Sequence, residues 1–366
     1  MSRLDKLLNQ PLDQLQGTAA RMASLLPEAV HHQLTRLLGH QHHHPELDPA
    51  LATILAVRDF RGGKGKIADD PVASRAKFRR EMASIRGRVT PVGQVQDISM
   101  DGIAHPIPAR HYAPIESITS DQPFPLLIFF HGGGFVVGDL DTHDEPCRML
   151  CRHGHFHVLS IDYRLAPEHP FPAAFDDGVA AIQWVHQHAN DWNIDLNAIA
   201  IGGDSAGGNL SATLTNALAQ TEYAPAAQLL IYPAIEFYMP TESKTTYSDG
   251  LFLSHEDVRD AYLRYNPDEI YPPDDPRLCP MYPPDPTQGH RNLPPTLIIT
   301  AALDVLRDEG EVYGRTLRQA GNTCMMRRVA GQGHGFINIT SINRGAYQAT
   351  LQMAADFRLL LAGEVF

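Results

Sequence analysis

The 366-residue chain has no uninterrupted apolar run approaching the ~20 residues that cross a bilayer, so no membrane span is expected. Its opening, MSRLDKLLNQPLDQLQ, breaks every short apolar stretch with charge or Gln and so lacks the apolar core and cleavage site of a secretory signal. Cysteine is scarce. Cys147, Cys151, Cys279 and Cys324 are too few and too scattered to staple a chain of this length, which points to reduced thiols and a cytoplasmic setting. Cys147 and Cys151 stand four apart on an expected helix, but no second ligand pair accompanies them, and packing is their expected role. Positive charge is also in deficit: 30 Lys and Arg against 42 Asp and Glu leave a net charge of −12, a sign that argues against nucleic acid and anionic membranes as partners of the whole chain. What is present, 43% hydrophobic residues, suffices for a substantial buried core.

Residues 1–45 read as an N-terminal helical extension. Leu4, Leu7, Leu8, Leu12 and Leu15, then Met22, Leu25, Leu26, Val30, Leu34, Leu37 and Leu38, recur at helical spacing, punctuated by Pro11 and Pro27. The polar positions lack the Lys/Arg-rich face of a membrane-surface helix, so the apolar faces are expected to pack within the chain or in a homodimer. The tract His40, His42, His43, His44 runs straight into Pro45 without regular ligand spacing and reads as a solvated linker rather than a metal site. Between Arg58 and Arg88, ten basic residues meet four acidic ones, a local reversal of charge that reads as a solvated helix face or an attractor of an anionic partner.

From about residue 95 short apolar runs alternate with helical stretches. Strands are expected at Val95–Ile98, Ile107–Tyr112, Leu126–Phe130, His157–Ile161, Ala198–Gly202, Gln228–Tyr232, Leu297–Ala301 and Cys324–Val329. Several are continuously apolar, as strands buried on both faces are. Helical segments such as Ala173–His188 and Asn209–Gln220 between them give the alternation of an α/β protein with a mostly parallel sheet. From Glu236 to Pro295 the alternation stops, and proline is dense from Pro267 onward, which reads as an insertion over the sheet with a rigid return.

The most informative stretch is Gly203-Asp204-Ser205-Ala206-Gly207, where an apolar strand turns into a helix. G-x-S-x-G alone is a weak signal, but in a strand–turn–helix context it exposes a serine Oγ above the sheet edge, at a helix N-terminus that favours developing negative charge. A strand ending about 70 residues earlier runs into His131-Gly132-Gly133-Gly134-Phe135. Consecutive glycines let backbone approach a substrate and aim N–H groups into a cavity. No Walker lysine and no G-x-G-x-x-G spacing support a phosphate cradle, so the N–H groups of Gly132, Gly133 and Ala206 are assigned to an oxyanion hole. His131 reads as a brace for the loop.

An acid and then a histidine are expected downstream of the serine. Asp304 falls just past the strand Leu297–Ala301, where catalytic groups of α/β proteins collect; Asp308 sits deeper in a helix and is the fallback, better suited to pairing with Arg307 or Arg315. His334 stands between Gly333 and Gly335 on a loop after the last strand, poorly placed for core packing and well placed to reach a hydroxyl.

With these residues assembled, the sequence resembles the hormone-sensitive-lipase-like branch of the α/β-hydrolase superfamily. The matching segments are His131-Gly-Gly-Gly-Phe135, Asp162-Tyr-Arg-Leu-Ala-Pro-Glu168, Gly203-Asp-Ser-Ala-Gly-Gly-Asn-Leu210, Asp304-Val-Leu-Arg-Asp-Glu-Gly310 and His334-Gly-Phe336, across roughly residues 47 to 366. The resemblance implies an α/β-hydrolase fold with a helical cap: 46–90 and 236–270 as cap, 91–235 and 271–366 as catalytic domain. It implies an esterase for short- to medium-chain esters, with Glu168 in a motif that braces the oxyanion loop. Val305 replaces the proline common after the family's acid.

On this reading Ser205 attacks an ester carbonyl, His334 takes its proton and Asp304 orients and stabilises the imidazolium, with no metal or organic cofactor. The expected partner is a small-molecule ester. Two other readings use the same residues: a lipase on long-chain lipid anchored by the N-terminal helices, and a non-catalytic receptor, which the complete Ser205–His334–Asp304 set disfavours. Amide or lactone hydrolysis stays open, since the same triad serves acyl transfer generally.

Overall fold

A computed structural model describes residues 26–37, 44, 46–60, 70–102, 105–249 and 251–364. All eight expected strands form, within one sheet of order β1-β2-β4-β3-β5-β6-β7-β8. They are β1 (Gln94–Asp101), β2 (Pro106–Ala113), β3 (Phe124–Phe130), β4 (His157–Ile161), β5 (Ile194–Asp204), β6 (Gln228–Ile231), β7 (Thr296–Leu303) and β8 (Cys324–Gly333). β1, β2 and β4 pair antiparallel, and the pairings from β4 through β8 are parallel.

Continuous apolar sequence in the central strands follows from burial on both sides. On β3, Leu127 and Phe129 enter one core with Cys147, Leu150, Met353 and Phe357, while Leu126, Ile128 and Phe130 enter the other with Val185, Leu210 and Leu214. The first core is covered by α4 (Asp144–Gly154) and α10 (Arg344–Leu361), the second by α5 (Ala173–His188) and α6 (Ala206–Leu218), with α9 (Arg307–Gln319) alongside on a third, smaller core. Cys147 and Cys151 are buried in α4 and unpaired, as packing residues are.

The chain leaves β3 toward β4 on one side and returns across it to β5 on the other. The C-terminal ends of β3 and β5 therefore flank a switch point, where an open α/β sheet leaves a crevice.

Three described helices precede the sheet: α1 (Glu28–Leu37), α2 (Pro49–Phe60) and α3 (Pro71–Ile85). α1 packs against α2, where buried His31 places Nδ1 2.9 Å from Thr53 Oγ1. The earlier leucines of the extension and His40, His42 and His43 lie outside the described residues. α3 starts at an Asp70 cap that accepts from Val72 and Ala73 N–H, with Pro71 at its first position. Between β6 and β7 lie α7 (Glu242–Thr246), α8 (His255–Tyr265), the latter opened by a Ser254/Asp257 capping box, and then the proline-dense return.

Where the basic stretch 58–88 is described, Lys77, Arg79, Arg80, Arg86 and Arg88 are exposed, as a solvated face requires, yet three of its arginines also reach across to the sheet domain. Arg75 pairs with Glu168, Arg79 with Asp139 and Arg86 with Asp144, all carboxylates of the sheet's own loops and helices. The residues that supply the negative partners are 58 to 93 positions away, beyond what a local charge count registers.

Candidate active site

β5 ends at Asp204, and Ser205 follows with φ 54° and ψ −116°, a conformation non-glycine residues seldom adopt. Such strain costs of order 1–3 kcal/mol and persists only where the surroundings enforce it. Here they do. Ser205 N–H donates to Ile231 O at 2.8 Å, and Ser205 O accepts from Asn209 and Ala234 N–H. A Cβ on Gly203 or Gly207 would drive into the Phe130 carbonyl oxygen, so only glycine lets β3 and the turn approach this closely. The following helix begins at Ala206, three residues earlier than its apolar pattern suggested, because Ala206-Gly207-Gly208 contribute no apolar periodicity.

His334 lies immediately after β8, with Gly335 in the left-handed region at φ 78° turning the chain away behind it. Its Nε2 is 2.8 Å from Ser205 Oγ and its Nδ1 is 2.8 Å from Asp304 Oδ2. Asp304 is fully buried, and its other oxygen accepts from Leu306 N–H at 3.0 Å. Three residues widely separated in sequence thus form one hydrogen-bonded line, a geometry in which the imidazole can withdraw the serine proton while its own orientation is fixed. Asp308, the fallback acid, is not in that line. It pairs with Arg307 and accepts from Ser243 N–H at 2.8 Å.

The glycine loop after β3 departs from expectation at one position. Gly132 N–H donates to Asp204 Oδ1 at 2.7 Å and is therefore not available to an oxyanion. A Cβ on Gly132 would collide with the Asp204 carboxylate, so glycine here makes room for that side chain and not for substrate. Gly133 and Gly134 follow at φ 122° and 61°. Among the described residues, no acceptor is paired with the N–H of Gly133, Gly134 or Ala206.

Asp204 is a second residue that sequence reasoning passed over. Besides Gly132 it accepts from Tyr232 OH at 3.2 Å, and His143 Nε2 lies 3.3 Å from Oδ1. Burial pushes its carboxyl upward, but the interaction with His143 and the Gly132 N–H outweigh it and hold the group below the usual range, as an anion. An acid directly before the serine of the turn, with no solvent to satisfy it, was the signal available. His131 braces the loop: fully buried, it stacks on Tyr163 at 4.4 Å and is pushed down to about 4, first by burial and then by His143. Its carbonyl accepts from Tyr163 OH at 2.6 Å.

A family model described as alpha/beta hydrolase fold matches residues 127–338, the span that carries all of these groups. The chain belongs to that family, the hormone-sensitive-lipase-like esterases. It is 41% identical over 323 residues to the carboxylic ester hydrolase LipN of Mycobacterium tuberculosis, covering 86% of this chain and 84% of that one. It is 34% identical to the ethyl acetate hydrolase of Pseudomonas putida, over 81% of this chain and 93% of that one. Among solved structures, a thermostable esterase from Pseudomonas putida superimposes with a TM-score of 0.80 at 28% identity, covering 87% of this chain and 98% of the other. An esterase from Pyrobaculum calidifontis does so at 0.74 and 34%, covering 87% and 100%.

Among the described residues, no helix is long and apolar enough to cross a membrane.

Proposed function

We propose that the protein is a serine carboxylesterase acting on short- to medium-chain acyl esters through a covalent acyl-enzyme. The observation that carries this is the Ser205–His334–Asp304 line, with both links at 2.8 Å. Ser205 Oγ attacks the ester carbonyl as His334 takes its proton, and Asp304 fixes the imidazole and stabilises its charged form. The oxyanion is received by the N–H groups of Gly133, Gly134 and Ala206, with Gly134 in the place first given to Gly132. His334 then protonates the departing alcohol, and water repeats the sequence on the acyl-enzyme. The name of the ethyl acetate hydrolase supports the short-chain preference. Residues 46–90 and 236–270 serve as a cap over this site, and the four unpaired, buried cysteines support a reducing, cytoplasmic compartment.

A fluorophosphonate tests the nucleophile. Stoichiometric labelling of the wild type on Ser205, absent in Ser205→Ala, is expected. Labelling that survives Ser205→Ala contradicts the assignment.

A further inference from the structure

Helix α3 carries a side chain that reaches out of the cap and into the backbone of the glycine loop. Arg75 Nε donates to Val136 O at 2.8 Å, Nη2 donates to Ala166 O at 2.9 Å, and the guanidinium forms a two-pronged pair with Glu168 at 3.0 and 2.6 Å. The Val136 carbonyl belongs to the same peptide unit as the Val137 N–H, and that N–H donates to Gly133 O at 3.0 Å. The Gly133 carbonyl in turn belongs to the same peptide unit as the Gly134 N–H. Two peptide planes therefore connect the guanidinium to Gly134, hydrogen bond by hydrogen bond. Val136 N–H adds a second bond to Gly133 O, at 3.1 Å.

We propose that Arg75 is a positioning residue for the oxyanion loop, which aims and polarises the Gly134 N–H through the Val136–Val137 and Gly133–Gly134 peptides. The proposal rests on the esterase reading given above. Two physical effects act along the chain of bonds. Fixing the Val136 carbonyl fixes the tilt of its peptide, and with it the anchor of the Gly133 carbonyl and the direction of the Gly134 N–H. A cation at the head of a hydrogen-bonded series also polarises each peptide in turn, strengthening the final donor. Donors aimed in advance at developing charge are worth most where they need no reorganisation during the reaction.

The loop is held from a second side as well. Phe135, at φ 61°, stacks on Tyr265 of α8 with centroids 3.7 Å apart and planes within 4°, and Phe135 O accepts from Ala166 N–H at 2.8 Å. Ala166 is the residue whose carbonyl Arg75 also grips. Both halves of the cap thus meet on the loop, and among these contacts Arg75 supplies the charge-assisted donors, its guanidinium oriented on its other edge by Glu168.

Arg75→Met, which keeps the stem, and Arg75→Lys, which keeps the charge without the fork, separate positioning from a pocket or folding role. On p-nitrophenyl acetate, butyrate and hexanoate, Arg75→Met is expected to lower kcat by about tenfold, a fraction of the 10²–10³ lost with an entire oxyanion donor. The factor is the same for all three chains and KM stays within about twofold, as for an interaction made only in the transition state. Affinity for a trifluoromethyl ketone, which reproduces the tetrahedral adduct, falls by the same factor, and Arg75→Lys recovers part of both. Backbone amide hydrogen exchange over 132–138 rises in Arg75→Met while the central strands are unchanged, a readout independent of activity. A loss that grows with chain length and lies in KM, or unchanged ketone affinity and unchanged exchange at 132–138, overturns the proposal. A wild type that hydrolyses no ester refutes the esterase reading instead, and the exchange measurement then still decides whether Arg75 holds the loop.

Discussion

Asp304 receives His334 Nδ1 on one oxygen and Leu306 N–H on the other, so its carboxylate has one orientation available. An amide in its place presents an N–H where the imidazole needs an acceptor, and the histidine takes the wrong tautomer. Asp304→Asn is therefore expected to lower kcat by about 10⁴ with the fold intact; steady-state kinetics beside a near-ultraviolet circular dichroism spectrum check it, and a loss below tenfold shows that the acid lies elsewhere. At this scale the sequence was legible where order and context select a residue. Ser205, Asp304 and His334 each follow a strand, and Asp308 was distinguishable because a helical position faces away from the sheet edge. The proposed oxyanion donors were less legible, since which of three consecutive N–H groups is left without an acceptor depends on backbone direction. Gly132 turned out to be spent on Asp204, and Gly134 was left free.

Between elements, the inserted segment is fastened to the acid loop by buried polar bonds. Lys244 of α7 places Nζ 2.7 Å from Glu309 Oε2 of α9 and donates to Glu236 O at 2.7 Å, while Glu309 Oε1 accepts from Ile235 N–H at 2.7 Å. Ser243 Oγ donates to Val305 O at 2.9 Å, directly beside Asp304. Both Lys244 and Glu309 are buried, so removing one partner strands the other's charge. Glu309→Leu is expected to cost about 3 kcal/mol in denaturant unfolding, and Lys244→Met in the same chain to restore most of it. Equal stability of Glu309→Leu and wild type contradicts the fastening. None of this could be read from the sequence, where Lys244 stands 65 positions from its partner in a stretch without periodicity. The strands were readable for the opposite reason: burial on both faces writes itself as unbroken apolar sequence. Helix α6 shows where that signal ends, because its first turn is chosen for small size at a crowded elbow.

Across the whole molecule, buried histidines remote from the site are expected to contribute to its acid limit, beside His131 at the loop. His111 on β2 and His157 on β4 are hydrogen-bonded at 2.8 Å, and His111 stacks on Trp192 at 4.0 Å. Burial pushes His111 down to about 3, aided by His157, and pushes His157 down to about 4. Unfolded histidines titrate near 6.5, so from that pH down to about 4 for His157 and about 3 for His111 these positions bind more protons in the unfolded chain than in the folded one. Stability then rises with pH across this window and is lost as pH falls through it. Melting temperature is expected to decline from about pH 6.5 downward, and the double substitution His111→Phe, His157→Phe to flatten that decline while changing neutral-pH stability little. An acid limb of the same slope in the double variant places the limit elsewhere. The sequence showed 19 histidines but not which were buried in pairs, since burial of a β-strand histidine depends on the neighbouring strand.

Ser205 as a nucleophile activated by His334 is open to one direct measurement. Hydrolysis of p-nitrophenyl esters from acetate to palmitate is followed for wild type and Ser205→Ala at equal folded concentration. Turnover is expected on the short and medium chains, declining toward palmitate, with a fall of at least about 10³ in the variant. Turnover that persists in Ser205→Ala, or a folded wild type inert toward every chain length, contradicts that role.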